Sequence, residues 1–488
     1  MSDPDVIVAG AGNAGLCAAH AARERGARVL VLEKAETAWS GGNSAFTAGA
    51  IRVAHGGLED VLELLAEEPL PDTDLDPYTE EQFLGDMRRV TLGRGDPAMA
   101  RALVGDSRDV VRWLAGHGVR FRLMYERQSY EADGRHRFWG GLAVGAVDGG
   151  AGLMDGHRAA ASSSGIELRH ETAVEDLLRD ADGRVAGVVA RSADGTRSEL
   201  RARAVVLAAG GFESDPRLRA AHLGPNWDVA KVRGTPCNTG EVLEAALRHG
   251  AQAYGHWSGC HAIQWDAGAP PTGDLEMTNR FSRQSYPVGI VVNRRGERFL
   301  DEGEDFRNYT YAKFGARVLE QPEGVAAQVF DAKTIPLLRT IDYEAPGATR
   351  VDADTLEELA VGLGIDPDGF SRTVAEFNAA IVDRPFDPAM KDGRRTEGIT
   401  PPKSNWALAI DTPPYAAFPV TCGITFTFGG VRVDDDAAVL DTGGRRIPGL
   451  YAAGELVGGL FFHNYPGGSG LTAGAVWGRR AGWTAATT

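Results

Sequence analysis

Residues 5–35 read DVIVAGAGNAGLCAAHAARERGARVLVLEKA, and this stretch decides how the fold begins. Val6 to Ala9 form a short apolar run that predicts a buried strand, and the alanine-rich stretch from Gly15 to Arg25 predicts a helix. Gly26 ends the helix, and Arg28 to Glu33 predict a second strand. The stretch therefore predicts a βαβ unit, which is the building block of a doubly wound α/β domain.

Three glycines stand at the turn between the first strand and the helix, as Gly10, Gly12 and Gly15. This G-x-G-x-x-G spacing permits a tight turn and lets a pyrophosphate approach the N–H groups at the helix start. Glu33 ends the second strand, where a carboxylate can accept hydrogen bonds from both ribose hydroxyls and would repel a 2′-phosphate. The order of strand, turn, helix and acid predicts a dinucleotide site; the alternative is a glycine turn that serves only helix packing.

The composition excludes several kinds of partner and cofactor. Of the 488 residues, 51 are basic and 67 acidic, and the net charge of −16 argues against nucleic acid and anionic membranes as partners. The N-terminus shows no signal peptide and no apolar run is long enough to span a membrane, so we expect a soluble cytoplasmic protein. The cysteines lack CxxC spacing, which predicts no iron–sulfur, haem or zinc site and suits a reducing compartment; they are Cys17, Cys237, Cys260 and Cys422.

Further segments extend the predicted domain. Residues 184–212 and 431–455 each predict a hairpin followed by a buried strand that ends in Ala-Ala-Gly. Between them, residues 258–420 are rich in proline, aromatic residues and helical stretches, which predicts an inserted second domain. The small residues of SGGNSAFTAGA (40–50) would let the backbone lie flat against an aromatic ring system; the alternative is a mobile glycine loop. Whether the dinucleotide is FAD or NAD stays open at this point.

Six segments in order along nearly the whole chain resemble the fumarate reductase/succinate dehydrogenase flavoprotein superfamily. They are DVIVAGAGNAGLCAA (5–19), SGGNSAFTAGA (40–50), VVLAAGGFESD (205–215), NTGEVLEAALRHGA (238–251), GIVVNRRGERFLDE (289–302) and GLYAAGELVGG (449–459). Within it, residues 41–54, 306–315 and 464–482 are most similar to the tricarballylate dehydrogenase branch. The resemblance implies an α/β fold with a Rossmann-like, glutathione-reductase-type FAD-binding domain (1–257 and 421–488) and an inserted α+β capping domain (258–420).

The resemblance also implies how FAD is held. Covalent members of the superfamily attach the flavin through a histidine in the loop that matches 41–51, and this sequence has Asn43 there, so we expect noncovalent FAD. Glu455 matches the acid that holds the ribityl chain, while Gly470 and Leu471 match the backbone pair at a helix N-terminus that faces the flavin pyrimidine edge. The predicted FAD contacts are Gly10, Gly12, Ala14, Gly15, Glu33, Lys34, Gly42, Asn43, Ser44, Thr47, Ala48, Gly49, Val174, Ala209, Gly210, Glu455, Gly470 and Leu471.

Hydride transfer between a substrate carbon and flavin N5 needs an acid or base, because a proton must leave or join the neighbouring carbon. In fumarate reductases an arginine shortly after a segment like RFLDE (298–302) has this role, and Arg307 follows here one residue later than usual. Tyr309 and Tyr311 are further candidate acids. Arginine is a poor base in water, and the alternative is an Arg307 that forms a salt bridge with Asp301, Glu302 or Asp305.

The resemblance implies several substrate contacts. His261, in SGCHAIQW (258–265), matches a histidine that helps to hold a substrate carboxylate, although a lone histidine is more often structural. Arg280 and Arg283 lie where the family places polar substrate contacts, and guanidinium groups suit carboxylates. Solvated surface arginines are the alternative. Tyr309 completes the predicted substrate-binding set.

Two departures from the family pattern bear on the substrate. Phe426 stands where fumarate reductases carry a histidine, and Tyr465 stands where they carry an arginine, so carboxylate-binding charge is lost and a plain fumarate site is not expected. HNYPGGSG (463–470) is also similar to the YPG motif of 3-ketosteroid dehydrogenases, in which the tyrosine hydroxyl polarises a ketone. We therefore predict that Tyr465 faces a substrate oxygen, of a carboxylate or a ketone. The alternative is a core tyrosine under the flavin.

These residues favour an FAD-dependent dehydrogenase that desaturates a Cα–Cβ bond beside a carboxylate, on a substrate like tricarballylate. The predicted catalytic residues are Arg307, Tyr465 and His261. Desaturation beside a ketone, enoate reduction of the fumarate reductase type, and a non-catalytic FAD subunit for electron transfer are the alternatives. Because the chain has no haem or cluster motif, reoxidation needs oxygen, a quinone or a separate protein, and the resemblance implies a membrane-associated iron–sulfur partner.

Overall fold

The computed structural model describes residues 3–66 and 69–488. Helices occur throughout this part of the chain, and the longest are α4 and α13. The α-helices are α1 Asn13–Glu24, α2 Leu58–Leu62, α3 Glu80–Val90, α4 Pro97–Gly116, α5 Tyr125–Gln128, α6 Gly149–Ser163, α7 Pro216–Leu223, α8 Glu241–Arg248, α9 Tyr311–Leu319, α10 Thr340–Tyr343, α11 Leu356–Leu363, α12 Pro367–Ala379 and α13 Ser469–Thr487. Among the described residues, none of these helices is long and apolar enough to cross a membrane.

The strands belong to two large sheets and several small ones. In chain order they are β1 Val6–Ala9, β2 Val29–Leu32, β3 Thr73–Asp74, β4 Phe121–Leu123, β5 Ser129–Ala132, β6 Arg135–Phe138, β7 Val144–Ala146, β8 Glu167–Arg169, β9 Thr172–Arg179, β10 Val185–Ser192, β11 Arg197–Arg201, β12 Ala204–Leu207, β13 Lys231–Val232, β14 Ala253–Asp266, β15 Ile290–Asn293, β16 Val325–Phe330, β17 Val351–Ala353, β18 Ile381–Val382, β19 Arg395–Thr396, β20 Tyr415–Val431, β21 Ala438–Leu440 and β22 Arg446–Ala452.

The first large sheet has the order β21–β22–β12–β1–β2–β8 and contains the predicted βαβ unit. Strands β22, β12, β1, β2 and β8 are parallel, while the edge strand β21 runs antiparallel to β22. Every residue of β1, β2 and β12 is buried, as expected for the apolar runs of a parallel sheet covered on both faces. The predicted hairpin before β12 is also present, because β9, β10 and β11 form an antiparallel sheet.

Helix α13 packs directly on α1 because glycines line the contact. A Cβ added at Gly478 would lie 2.4 Å from the Ala14 oxygen, and one at Gly482 would lie 2.1 Å from the Ala18 oxygen. The close approach brings the two helix starts together, and Asn13 Nδ2 donates to the Leu471 carbonyl over 2.9 Å. The last helix of the chain therefore reaches the same place as the first βα turn.

The second large sheet is centred on the long strand β20, which pairs with β13, β14, β16 and β17. Helices α11 and α12 cover part of this sheet with Leu359, Phe370 and Phe377. The predicted domain boundaries at 258 and 421 lie inside β14 and β20, so two paired strands run continuously across both boundaries. The division into FAD-binding and capping domains stays a prediction.

Candidate active site

One cavity extends from the first βα turn to the start of α13 and is lined by both large sheets. Nearly all of the residues predicted to contact FAD line it. The exceptions are Gly15 and Gly49, which lie behind the wall: a Cβ at Gly15 would lie 2.0 Å from the Gly10 oxygen, and one at Gly49 would lie 2.7 Å from the carbonyl carbon of Gly149. Both glycines therefore shape the wall without forming its surface.

The dinucleotide end of the cavity is made mainly of backbone. Gly10 has a φ of +104°, and a Cβ there would lie 2.4 Å from the Ala208 oxygen. Gly12 caps α1 without a side-chain hydrogen bond, and the Asn13 N–H donates to Ser44 Oγ over 3.2 Å, which leaves the next N–H groups of the first turn for a pyrophosphate. The Glu33 carboxylate accepts from the N–H groups of Ala11 and Ala35, each over 2.8 Å, and each of its oxygens keeps a further lone pair for a ribose hydroxyl.

The Asn43 side chain is held by the protein on three sides. Its Nδ2 donates to Glu213 Oε1 and to the Thr425 carbonyl, each over 2.6 Å, and its Oδ1 accepts from the Thr235 N–H over 3.0 Å. An amide in this position ties the loop to the second sheet and has no nucleophilic atom. Buried Glu213, which sequence reasoning missed, also accepts from Asn238 Nδ2 over 2.6 Å. Burial raises the pKa of Glu213 and of its neighbour Glu455, so the carboxyl pair favours carrying a proton.

Tyr465, Tyr311 and His261 meet where the start of α13 reaches the second sheet. The hydroxyls of Tyr311 and Tyr465 are hydrogen-bonded, and the His261 ring lies 4.8 Å from the Tyr465 ring and 4.9 Å from the Tyr311 ring. Neither ring nitrogen of His261 has a partner among the residues that the structure describes. Burial and the nearby Arg233 charge hold the pKa of His261 well below its usual value, so the imidazole is neutral and can accept or donate.

Phe426 lies opposite His261 on the paired strand, and both residues line the cavity. Their rings are 5.2 Å apart, and the Phe426 ring is 5.2 Å from that of Tyr465. The neighbouring helix α13 begins after Gly468, whose φ is +85°, without a side-chain cap. Its first-turn N–H groups, at Gly470 and Leu471, therefore present a partial positive charge to the cavity.

Arg307 is buried, and its guanidinium has no acidic partner among the described residues. Its Nη2 makes no hydrogen bond to the described part of the chain, and its guanidinium carbon lies 4.6 Å from the Trp139 ring centre. Burial, with the charges of Arg339 and Arg127, lowers the pKa of Arg307 to about 9. The three acids that could have paired with it bond elsewhere: Asp301 accepts from Ser404, Glu302 from Arg298 and Asp305 from Arg89.

Three further buried arginines line the cavity and were missed by sequence reasoning. Arg233 donates through Nε to Asn279 Oδ1 over 2.8 Å and through Nη1 to Thr425 Oγ1 over 2.9 Å, so its described partners are neutral. Arg127 and Arg339 both contact Asp342. The three arginines lie in separate parts of the chain without a common motif, and no local spacing would have identified them.

Three predicted substrate contacts lie away from the cavity. Arg283 is fully buried in an ion pair with Asp266, and its Nη1 donates to the Asp342 carbonyl over 2.9 Å. Arg280, in the same loop, is exposed. The Tyr309 hydroxyl lies 2.5 Å from Asp86 Oδ2 and 2.7 Å from the Gly140 carbonyl oxygen, and it accepts from Arg52 over 3.2 Å. The Arg283 and Tyr309 side chains are therefore turned to structural contacts, and the Arg280 side chain to solvent.

Several glycines at the dinucleotide end of the cavity leave no room for a Cβ. Comparison with known proteins agrees with a ligand site there. Residues 5–471 match the family described as FAD binding domain. The chain belongs to this family. It is 29% identical to a fumarate reductase (cytochrome) from Shewanella frigidimarina over 482 residues, which cover 99% of this chain and 77% of that protein. It is 30% identical to 4-oxocyclohexanecarboxylate 2-dehydrogenase from Sinomonas cyclohexanicum, over 97% of this chain and 90% of that protein.

A solved structure supports the same assignment. The open conformation of a flavocytochrome c3 fumarate reductase is 26% identical, with a TM-score of 0.73 that covers 100% of this chain and 78% of that one. The predicted superfamily and the α/β FAD-binding fold are therefore confirmed. The protein is an FAD-dependent oxidoreductase of the fumarate reductase type that acts on CH–CH bonds.

Proposed function

We propose that this flavoprotein desaturates the Cα–Cβ bond beside a carboxylate of a tricarballylate-like polycarboxylic acid, forming the enoate. The observation that carries the proposal is the charge of the cavity wall. Four buried arginines line the cavity (Arg127, Arg233, Arg307 and Arg339), and the carboxylate bonded to them is Asp342. Such an excess of buried positive charge is costly unless an anionic ligand compensates it.

The proposed reaction breaks two C–H bonds and forms one C=C bond. FAD, when bound, accepts the hydride that leaves the β-carbon. Arg307 is charged at rest and, once it has lost a proton, takes the proton that leaves the α-carbon; it is the cavity arginine with an unpartnered buried Nη2 and a pKa lowered to about 9. A guanidinium with a lowered pKa gives up its proton more readily than a free arginine, which suits it to alternate between acid and base.

Other side chains of the site would hold the substrate. His261 and Arg233 line the cavity near the tyrosine pair and supply donors for carboxylate oxygens. Tyr465 would donate to a further substrate oxygen while Tyr311 bonds to its hydroxyl. In this proposal residues 258–420 form the cap above the flavin.

The proposal includes noncovalent FAD and reoxidation by a separate partner. The amide of Asn43 cannot attach to a flavin, and its three hydrogen bonds leave it committed to the protein. Acid precipitation of the purified protein should therefore leave the yellow flavin in the supernatant, and a yellow pellet would contradict noncovalent binding. Oxygen, a quinone or an electron-acceptor protein would then take the electrons, and we place the reaction in the cytoplasm.

A second candidate is desaturation beside a ketone. The Tyr311–Tyr465 hydroxyl pair and the apolar Phe426 favour it, because a phenol pair can hold a carbonyl oxygen without neutralising a charge. The relative 4-oxocyclohexanecarboxylate 2-dehydrogenase is named for a substrate that carries both a ketone and a carboxylate. Enoate reduction, the reverse direction, would use the same residues.

The deciding experiment adds tricarballylate to the oxidised holoenzyme without oxygen and follows the absorption band of oxidised flavin. Bleaching together with recovery of an unsaturated tricarboxylate would support the carboxylate desaturase. If the band persists while dithionite still bleaches it, the proposal fails for this substrate, and cyclic ketones become the next panel. In that case Tyr465→Phe should abolish bleaching by the ketone that reacts.

A further inference from the structure

Arg127 and Arg339 come from two separate elements, line the cavity and share one acid. Arg127 lies on α5, and its Nη1 and Nη2 donate to the two carboxylate oxygens of Asp342 over 3.3 and 3.1 Å. Arg339 precedes α10; its Nη2 lies 2.6 Å from Asp342 Oδ2 and donates to Gln284 Oε1 over 3.2 Å. Asp342 is 0% exposed, and both arginine side chains are 7% exposed.

This cluster is short of negative charge. A single buried carboxylate balances one of its two guanidinium groups, and Arg307 adds a third positive charge close by, which is why Arg339 contributes to the lowered pKa of Arg307. The Nε of Arg339 is buried, and no acceptor for it occurs in the described chain. A buried donor without a partner is costly, and here it belongs to a residue that lines the cavity.

The substrate end of the cavity as a whole is also short of negative charge. Arg127, Arg233, Arg307 and Arg339 bring four positive charges, Asp342 removes one, and His261 is neutral because burial lowers its pKa. Burial likewise raises the pKa of Tyr311 and Tyr465, so the phenols are neutral too. Three negative charges are needed for balance, which is the charge of a fully ionised tricarboxylate.

We propose that Arg127 and Arg339, bridged by Asp342, form a subsite for a substrate carboxylate that is not attached to the reacting bond. This inference rests on the proposed function, because it assumes that a carboxylate substrate occupies the cavity. The Nε of Arg339, which has no partner in the described chain, is the donor for this carboxylate. The site thereby selects polycarboxylates over monocarboxylates of the same reacting group.

The test measures binding of three enoates, which oxidised flavin does not convert: crotonate, fumarate and aconitate, with one, two and three carboxylates. Isothermal titration of the oxidised holoenzyme should give the tightest binding for aconitate. In Arg339→Gln, aconitate affinity should fall about 10- to 100-fold, the usual worth of a charge-assisted hydrogen bond, while crotonate affinity changes less than about twofold. Arg372→Gln, which removes the same charge from an exposed position of α12, should leave all three unchanged.

The outcomes separate the subsite from the proposed function. If the wild-type protein binds none of the three enoates, the proposed function fails. If it binds crotonate as tightly as aconitate, or if Arg339→Gln weakens all three ligands equally, carboxylates bind but the subsite is refuted. The flavin spectrum reports whether Arg339→Gln is folded. Should that variant lose its FAD, Arg339→Lys tests the same point: a lysine keeps the charge but lacks the Nε donor, so aconitate affinity should fall while crotonate affinity holds, and an unchanged preference for aconitate would refute the subsite.

Discussion

The two ends of the cavity are built from different parts of the chain. At the dinucleotide end, the wall is backbone: glycines with no room for a Cβ, the start of α1 and the edge of a parallel sheet. At the substrate end, the wall is side chains, above all Arg127, Arg233, Arg307 and Arg339. The first end accommodates its ligand because its glycines have no side chains. The second end attracts its ligand through an excess of positive charge.

This difference predicts how substitutions at each end affect ligand binding and the reaction. Adding a single methyl group to the backbone end should displace the ligand, since nothing there can move aside without moving the sheet. Removing a side chain from the substrate end should leave the cavity and FAD in place and change only the chemistry. The predictions below test the contrast in order of decreasing effect.

Gly15→Ala should abolish FAD binding. The new Cβ would lie 2.0 Å from the Gly10 carbonyl oxygen, a distance that requires the turn and α1 to separate. We expect the ratio of bound flavin to protein, read from the visible absorption, to fall more than about tenfold, since a clash with backbone cannot be relieved by a rotamer change.

Gly105→Ala is the matched control. Gly105 lies inside α4, and a Cβ there would meet nothing within 4 Å. The variant should keep its flavin and gain about 0.5–1 kcal/mol of stability, because alanine is the better helix former. Equal flavin content in the two variants would show that the backbone end tolerates an added methyl group, which contradicts the prediction.

Arg307→Lys should separate binding from chemistry. A lysine keeps the charge but presents one nitrogen at a different position, so proton transfer should slow by about 100- to 10,000-fold, the usual contribution of a positioned acid or base. Stopped-flow reduction of the flavin by tricarballylate measures that rate. Affinity for aconitate should change little, because Arg127, Arg233 and Arg339 remain.

Arg280→Lys is the control for this variant, since Arg280 is exposed and lies outside the cavity wall. Its flavin reduction rate should equal that of the wild type. If Arg307→Lys also reduced FAD at the wild-type rate, the acid or base would have to be sought elsewhere, with Tyr311 as the next candidate. A rate loss in Arg280→Lys would restore it as a substrate contact.

The sequence predicts the two ends unequally, for a physical reason. The backbone end follows from local rules, because Gly10, Gly12 and Glu33 act within one βαβ unit whose order is fixed by chain connectivity. The substrate end is assembled from distant segments: His261 meets Phe426 across β14 and β20, and Arg127 meets Arg339 at Asp342 although the two arginines are far apart in sequence.

Arg283 and Arg307 illustrate the limit within a single region. Both are buried arginines of residues 258–420, but Arg283 has Asp266 as a partner and Arg307 has no described acid. Asp266 ends β14, where irregularities near His256 and His261 shift the pairing with β20, so the position of the partner of Arg283 depends on that register. That register cannot be predicted from local composition.

The backbone end also carries a column of buried histidines. The His20 ring stacks between those of His117 and His157, at 4.8 and 5.4 Å. His157 bonds to Asn13 Oδ1 over 3.0 Å, and the Asn13 amide in turn holds the Leu471 carbonyl. Burial, with the charge of His117, lowers the pKa of His20 to about 4.

Acid should therefore weaken the backbone end. In the unfolded chain His20 binds a proton as the pH falls through its ordinary pKa of about 6.5, but the folded protein does not until the pH reaches about 4, so stability is lost between these values.

His20→Phe removes this titration without breaking a hydrogen bond, since neither ring nitrogen has a described partner. Between pH 7 and pH 5 its unfolding free energy in urea should fall by about 2 kcal/mol less than that of the wild type. His463→Asn, at an exposed position with a φ of 61° that asparagine tolerates, should follow the wild-type curve, and parallel curves for all three proteins would show that the column is not what makes this end sensitive to acid.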